Sequence, residues 1–186
     1  GVLAGMRLKV PKSLATRPSA NRLRAAIFNC IRNFELKGQL GLQEATAVDL
    51  FAGTGALGIE AMSNGVSHIF FIEESPTVLR ALRENISKAV SSYEKQGLPA
   101  PHVELILSPA EKSYSRLPLC QIIFCDPPYF KGYFEKIINY EDQFNRISGE
   151  GLLIFESQKN ELKSEQLTYA LKARLEHFDT KIYSDS

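Results

Sequence analysis

Little in this chain suits a disulfide framework, a metal site or a membrane. It has three cysteines, Cys30, Cys120 and Cys125, an odd count without C-x-x-C spacing. Two of them lie in apolar runs, where a thiol acts as a small hydrophobe in a reducing compartment. His68, His102 and His177 are scattered, and no cluster has metal-ligand spacing. Long hydrophobic stretches are also missing. IIFC and LLIF are strand-sized, well short of the ~20 apolar residues of a membrane helix. No basic n-region leads into an apolar h-region, so no secretory signal is read. Repeats and low-complexity tracts are absent. The NIS sequon at Asn85 falls in a helical pattern and is set aside as a glycosylation site. The expectation is a cytoplasmic globular protein. Gly1 is not an initiator methionine, so further residues, native or introduced, are expected upstream.

What is present suffices for one domain. The 186 residues are 44% hydrophobic, enough for a sizeable core. Net charge is +1, but unevenly spread. Residues 1–40 hold eight of the 22 Lys and Arg and one of the 21 acids, a local +7 against −6 for the rest. Such asymmetry suits an anionic partner for the basic segment. A merely solvated surface reads equally well on charge alone.

Residues 2–12 read as one or two short extended pieces. Residues 19–34 read as a helix with Leu23, Ala26, Ile27, Cys30, Ile31 and Phe34 on one face and Ser19 as N-cap. Strand–helix alternation begins at residue 46. ATAVDLF, HIFFIE, HVELIL, CQIIFCD and GLLIFES read as strands. Helices are expected over about 57–63, 76–93, 110–116, 133–146 and 160–171. ALKARLEHF and DTKIYS are expected to close the sheet as an antiparallel pair. Strands apolar on both faces and separated by helices predict an α/β fold, a parallel sheet with helices on both sides.

The stretch VDLFAGTGALGIE places Gly53, Gly55 and Gly58 in a G-x-G-x-x-G pattern after the first strand, with Glu73 twenty residues beyond Gly53. Glycines there admit a ligand to the backbone, and Glu73 can accept from ribose hydroxyls. On paper this is a dinucleotide fingerprint. Asp49 argues otherwise. A pyrophosphate at the next helix N-terminus would face its charge at short range. A cofactor with an ammonium and a sulfonium, as in S-adenosylmethionine, would be attracted. Asp49 can equally serve as a helix-capping or turn carboxylate.

CDPPYF follows the fourth strand at the same edge. Asp126 can accept a hydrogen bond from an exocyclic amine. Pro127 and Pro128 lack N–H groups and hold the turn stiff, which aims the Pro127 carbonyl inward as a second acceptor. Tyr129 offers a face on which a base can stack. A base amine is a poor nucleophile because its lone pair is delocalised. Two acceptors favour pyramidalisation, and the rest of the catalytic work is positioning.

LFAGTGALGIEA and DPPY, preceded by RPSANRLRAAIFN, resemble the RsmD-type methyltransferases, which modify the guanine N2 amine in bacterial small-subunit (16S) ribosomal RNA. The resemblance covers essentially the whole chain. It implies a class I S-adenosylmethionine-dependent methyltransferase fold, Rossmann-like, with seven strands and the last antiparallel. It divides the chain into a basic extension over 1–40, a short β segment plus helix, and a methyltransferase domain over 41–186. It implies that Asp49, Phe51, Ala52, Gly53, Thr54 and Gly55 line the methionine end of the cofactor and that Glu73 holds its ribose. Ala110 and Asp126 complete the cofactor set. Asp126, Pro127, Pro128 and Tyr129 would hold the guanine. Arg17, Pro18 and Ser19 match an RPT element near cofactor and RNA. Arg7, Lys9, Arg17, Arg22, Arg24 and Lys131 would contact RNA. A monomer acting on ribosomal RNA or the small subunit is implied, without metal or membrane.

The chain departs from the family pattern at several points. Ser19 and Asn21 replace a usual Thr and Asp, and Ala26 stands next to where an acid is common. The upstream hairpin is shorter than usual. Pro109 stands where an Asp or Asn often touches the adenine, leaving that contact to Ser108 or the Ala110 amide. Three other readings stay open. D-P-P-Y permits a DNA adenine or cytosine amine as substrate, although the chain has no room for a separate DNA-recognition domain. The changes at Asn21 and Pro109 permit a non-catalytic RNA-binding relative. The glycine pattern alone permits a nicotinamide enzyme.

Overall fold

The computed structural model describes residues 1–11, 20–128, 132, 133, 136 and 147–156. In chain order these form α1 (Ala20–Leu36), β1 (Thr46–Asp49), α2 (Ala56–Ser63), β2 (His68–Glu73), α3 (Pro76–Lys95), β3 (His102–Leu107), β4 (Cys120–Cys125) and β5 (Ile147–Phe155). Three short 3-10 turns lie at Leu42–Glu44, Ala110–Lys112 and Tyr114–Arg116. The last two replace the short helix expected over 110–116.

All four strand pairings are parallel, and the sheet order is β3-β2-β1-β4-β5. Side chains alternate between two apolar layers. Ala47, Ile69, Phe71, Ile122 and Phe124 face one layer, filled by Ile27, Phe28 and Ile31 of α1, Ile59 and Met62 of α2, and Leu79, Leu82 and Ile86 of α3. Val48, Phe70, Ile72, Ile123 and Cys125 face the other, where Ala110, Tyr114 and Leu117 cover them. Helices α1, α2 and α3 therefore share one face. Among the described residues the second face is covered by 3-10 turns and by Tyr133, itself a helical position.

Local chemistry fixes the element ends. Pro76 opens α3, and the Ser75 hydroxyl accepts from the Val78 amide at 3.4 Å. Phe28 belongs to the core face of α1 although it lies beside the expected stripe. Its ring meets Phe124 at 5.7 Å.

Residues 2–5 form consecutive turns rather than an extended piece. The Ala4 amide donates to the Gly1 carbonyl at 3.2 Å and the Met6 amide to the Leu3 carbonyl at 3.1 Å. No strand forms within residues 1–11. Backbone groups that would need a partner strand go to side chains instead. Ser63 Oγ accepts from the Leu3 amide at 2.9 Å, and the Asn85 side chain pairs with Lys9. Five strands lie among the described residues, where seven were expected. The closing antiparallel pair, the helix over 160–171 and nearly all of the 133–146 helix fall outside those residues, as do Ser19 and the RPT element.

Candidate active site

Parallel strands deliver their carboxyl ends to one edge, and the sheet order makes the place where β1 separates β2 from β4 a topological switch point. Asp49 pairs with Phe71 on one side and Phe124 on the other. Glu73 and Asp126 each lie two residues past those partners. The Leu50 amide donates to the Phe124 carbonyl at 3.0 Å and the Ala52 amide to the Ile72 carbonyl at 2.9 Å, so the loop after β1 stays tied to both neighbours. Asp49, residues 51–55, Glu73 and Asp126–Pro128 are thus brought to one edge. Ala110 joins them through β3, whose Leu107 pairs with Glu73.

Both carboxylates are seated on backbone amides. Glu73 Oε2 accepts from the Gly53 amide at 3.0 Å, and Oε1 from the Ser75 amide at 2.8 Å. Asp49 Oδ2 accepts from the Gly58 amide at 3.0 Å. With Gly55 as N-cap, Gly58 is the third residue of α2, so Asp49 does serve as a capping carboxylate. The Gly55 amide is bonded to the Ala52 carbonyl at 2.7 Å. A glycine is required at 55, where φ is +83° and a Cβ would meet Leu82 Cδ1 at 2.5 Å. At Gly58 a Cβ would overlap the Phe71 ring. The Gly53 and Gly58 amides already hold the Glu73 and Asp49 carboxylates. This is a poor seat for pyrophosphate and a good one for a cation.

Asp49 is 2% exposed. Burial raises its pKa to about 7, with Glu73 adding to the rise, against the amides of Gly58 and Phe51, which lower it. Burial chiefly, then the charges of Asp49 and Asp126, push the Cys125 thiol well up, so Cys125 stays a neutral core residue between the two strand ends. Pro127 is buried, Asp126 half-buried and Pro128 exposed. Tyr129 and Lys131 lie outside the described residues.

Two residues at this edge were not singled out from the sequence. The Tyr133 ring meets Phe51 edge-on at 5.3 Å and carries the Lys136 ammonium 5.2 Å from its centroid. Its signal was an aromatic four residues beyond the D-P-P-Y tyrosine. Asn85, set aside with its sequon, is buried at 0% exposure and holds the Thr54 carbonyl at 2.9 Å. Its only signal was an amide within an apolar helical stripe.

Of the cations expected to meet RNA, Arg7 and Arg22 are exposed. Lys9 Nζ is paired with Glu84, 2.7 Å from Oε2. Arg24 donates to Asn21 Oδ1 at 2.8 Å and lies 3.8 Å from Glu60. Arg17 falls outside the described residues. On the adenine side, the Ser108 hydroxyl donates to the Pro109 carbonyl at 3.0 Å, and Ala110 opens the following turn.

A family model described as Conserved hypothetical protein 95 matches residues 1–184. The chain belongs to that family, the RsmD family. Within the RsmD family's curated members, the Escherichia coli K12 protein named ribosomal RNA small subunit methyltransferase D is 29% identical over 85% of this chain and 72% of its own. The Haemophilus influenzae protein of the same name is 25% identical over 86% and 77%. Among solved structures, precorrin-6y C5,15-methyltransferase from Geobacter metallireducens aligns with a TM-score of 0.63 at 23% identity, over 90% of this chain and 77% of that one. The fold is that of the class I methyltransferases. Among the described residues no helix is long and apolar enough to cross a membrane, and no group of His, Cys, Asp and Glu could hold a metal ion.

Proposed function

We propose that this chain transfers a methyl group from S-adenosylmethionine to the exocyclic N2 amine of a guanine in small-subunit ribosomal RNA. The observation that carries the reading is the pair of amide-seated carboxylates, Asp49 and Glu73, beside the Asp126-Pro127-Pro128 turn at one switch point. The names of the RsmD-family relatives support the ribosomal substrate.

S-adenosylmethionine supplies an electrophilic methyl group on a sulfonium. The chain's residues fit it. Asp49 places negative charge under the cationic methionine end. Glu73, both oxygens fixed by amides, keeps lone pairs for ribose hydroxyls. Asp126 and the Pro127 carbonyl accept from the two amine hydrogens and turn the nitrogen lone pair toward the methyl carbon. S-adenosylmethionine bound there would give its methyl carbon to the nitrogen and keep the C–S bonding pair on sulfur as a neutral thioether. The extra amine proton leaves to water. Orientation does most of this work, so no strong base is needed.

The test offers radiolabelled S-adenosylmethionine with naked small-subunit RNA, assembled unmethylated subunits and duplex DNA in parallel. N2-methylguanosine from either ribosomal substrate is expected. Label in DNA alone, or none in any RNA, overturns the reading.

A further inference from the structure

We infer that Asn85 is a positioning residue that locks the basic N-terminal segment to the cofactor loop, so that binding at one is felt at the other. The inference rests on the proposed function. Its basis is one side chain with three bonds. Asn85 Nδ2 donates to the Thr54 carbonyl at 2.9 Å and to the Lys9 carbonyl at 3.0 Å, while Oδ1 accepts from the Lys9 amide at 2.7 Å. Both donors of the amide are used, and residue 9 has both backbone groups held as a partner strand would hold them. Thr54 lies between the glycines that approach the cofactor. Lys9 belongs to the segment assigned to RNA phosphates.

The side chain is 0% exposed in the middle of α3, where an apolar residue would pack more readily. Asparagine is a poor helix-interior residue, because its amide competes for backbone groups. Here those groups belong to two other segments. Aspartate is nearly isosteric but has no donors, so it would set a carboxylate against two carbonyl oxygens. Glu84, one residue earlier, holds the Lys9 ammonium at 2.7 Å from the helix surface. That contact is exposed and independent of the amide. A ligand on residues 53–55 fixes the Thr54 carbonyl, and Asn85 carries that restraint to residue 9. By linkage, RNA held by the segment must strengthen cofactor binding by the same factor.

The test uses S-adenosylhomocysteine, which cannot react, and small-subunit RNA. In the wild-type protein it should tighten RNA binding by about fivefold or more. Hydrogen exchange should show protection at both 48–58 and 1–11 when S-adenosylhomocysteine is added alone. Glu84→Gln should retain both effects. Asn85→Asp should keep protection at 48–58, lose it at 1–11, and show RNA affinity changed less than about twofold by the ligand. Full coupling in Asn85→Asp would overturn the inference. If that variant does not fold, the wild-type exchange decides. Protection at 48–58 without protection at 1–11 overturns the lock alone. Protection nowhere overturns the cofactor assignment beneath it.

Discussion

Burial at the end of the central strand pushes the Asp49 carboxyl up to about 7. Because this lies above the ordinary 3.8, the folded state keeps a proton between pH 4 and 7 that the unfolded chain has released. On this account stability is highest below about pH 4 and falls as pH rises through 7. Denaturation midpoints should show that decline, and Asp49→Asn should flatten it. A cationic ligand responds with the opposite sign. Ionised Asp49 attracts it, so S-adenosylmethionine affinity, measured without RNA, should rise by up to about tenfold per pH unit toward 7 and then level. Calorimetric titration across pH checks this, and a flat profile counts against the role given to Asp49. Glu73 and Asp126 should separate binding from chemistry. Glu73→Ala should weaken the cofactor by about 10- to 100-fold, with RNA affinity little changed. Asp126→Ala should spare the cofactor and slow single-turnover transfer by at least about 100-fold. Near-normal turnover in Asp126→Ala would remove the amine-acceptor mechanism.

The elements constrain one another closely where α2 crosses β2. Gly58 gives its amide to Asp49 and leaves no room for a methyl against Phe71. Gly58→Ala should therefore destabilise by about 1–3 kcal/mol through overpacking. The gain in helix propensity is at most about 1 kcal/mol and does not offset it. Urea midpoints measure the difference. The limits of β2 and β3 were legible because HIFFIE and HVELIL are apolar runs flanked by turn formers. The limits of α1 and α3 were nearly so from 3.6-residue spacing. Phe28 was not legible. Its partner Phe124 is decided by packing against the sheet, which widens the buried stripe of α1 beyond its simplest pattern. Asn85 was not legible either, since its partners stand 76 and 31 residues away. At Asp49 the sequence left capping and cofactor attraction open. The structure shows the cap, and the second role belongs to the proposed function.

Across the molecule, the +7 of the first 40 residues was plain in the sequence, but not which cations stay available. Lys9 and Arg24 have acidic neighbours, whereas Arg22 is exposed on α1. Arg22→Ala should weaken RNA binding uniformly and lower the slope of log affinity against log salt by about 1, measured over a salt series. An unchanged slope takes Arg22 off the RNA surface. Parallel pairing was legible once strands and helices alternated, but the strand order was not read from the sequence. Segment 1–11 depended on contacts no local pattern could announce. Those contacts also set an order of assembly. Leu3 bonds Ser63 across 60 residues, Lys9 bonds Asn85 across 76, and Val2 bonds Gln96 across 94. At 5–20 residues per second, Val2 emerges from the ribosome roughly 5–20 s before the last of its partners. For much of that interval the cationic segment has only Ser63 of α2 among these partners. It is made early and seated late, after α3 exists to receive it.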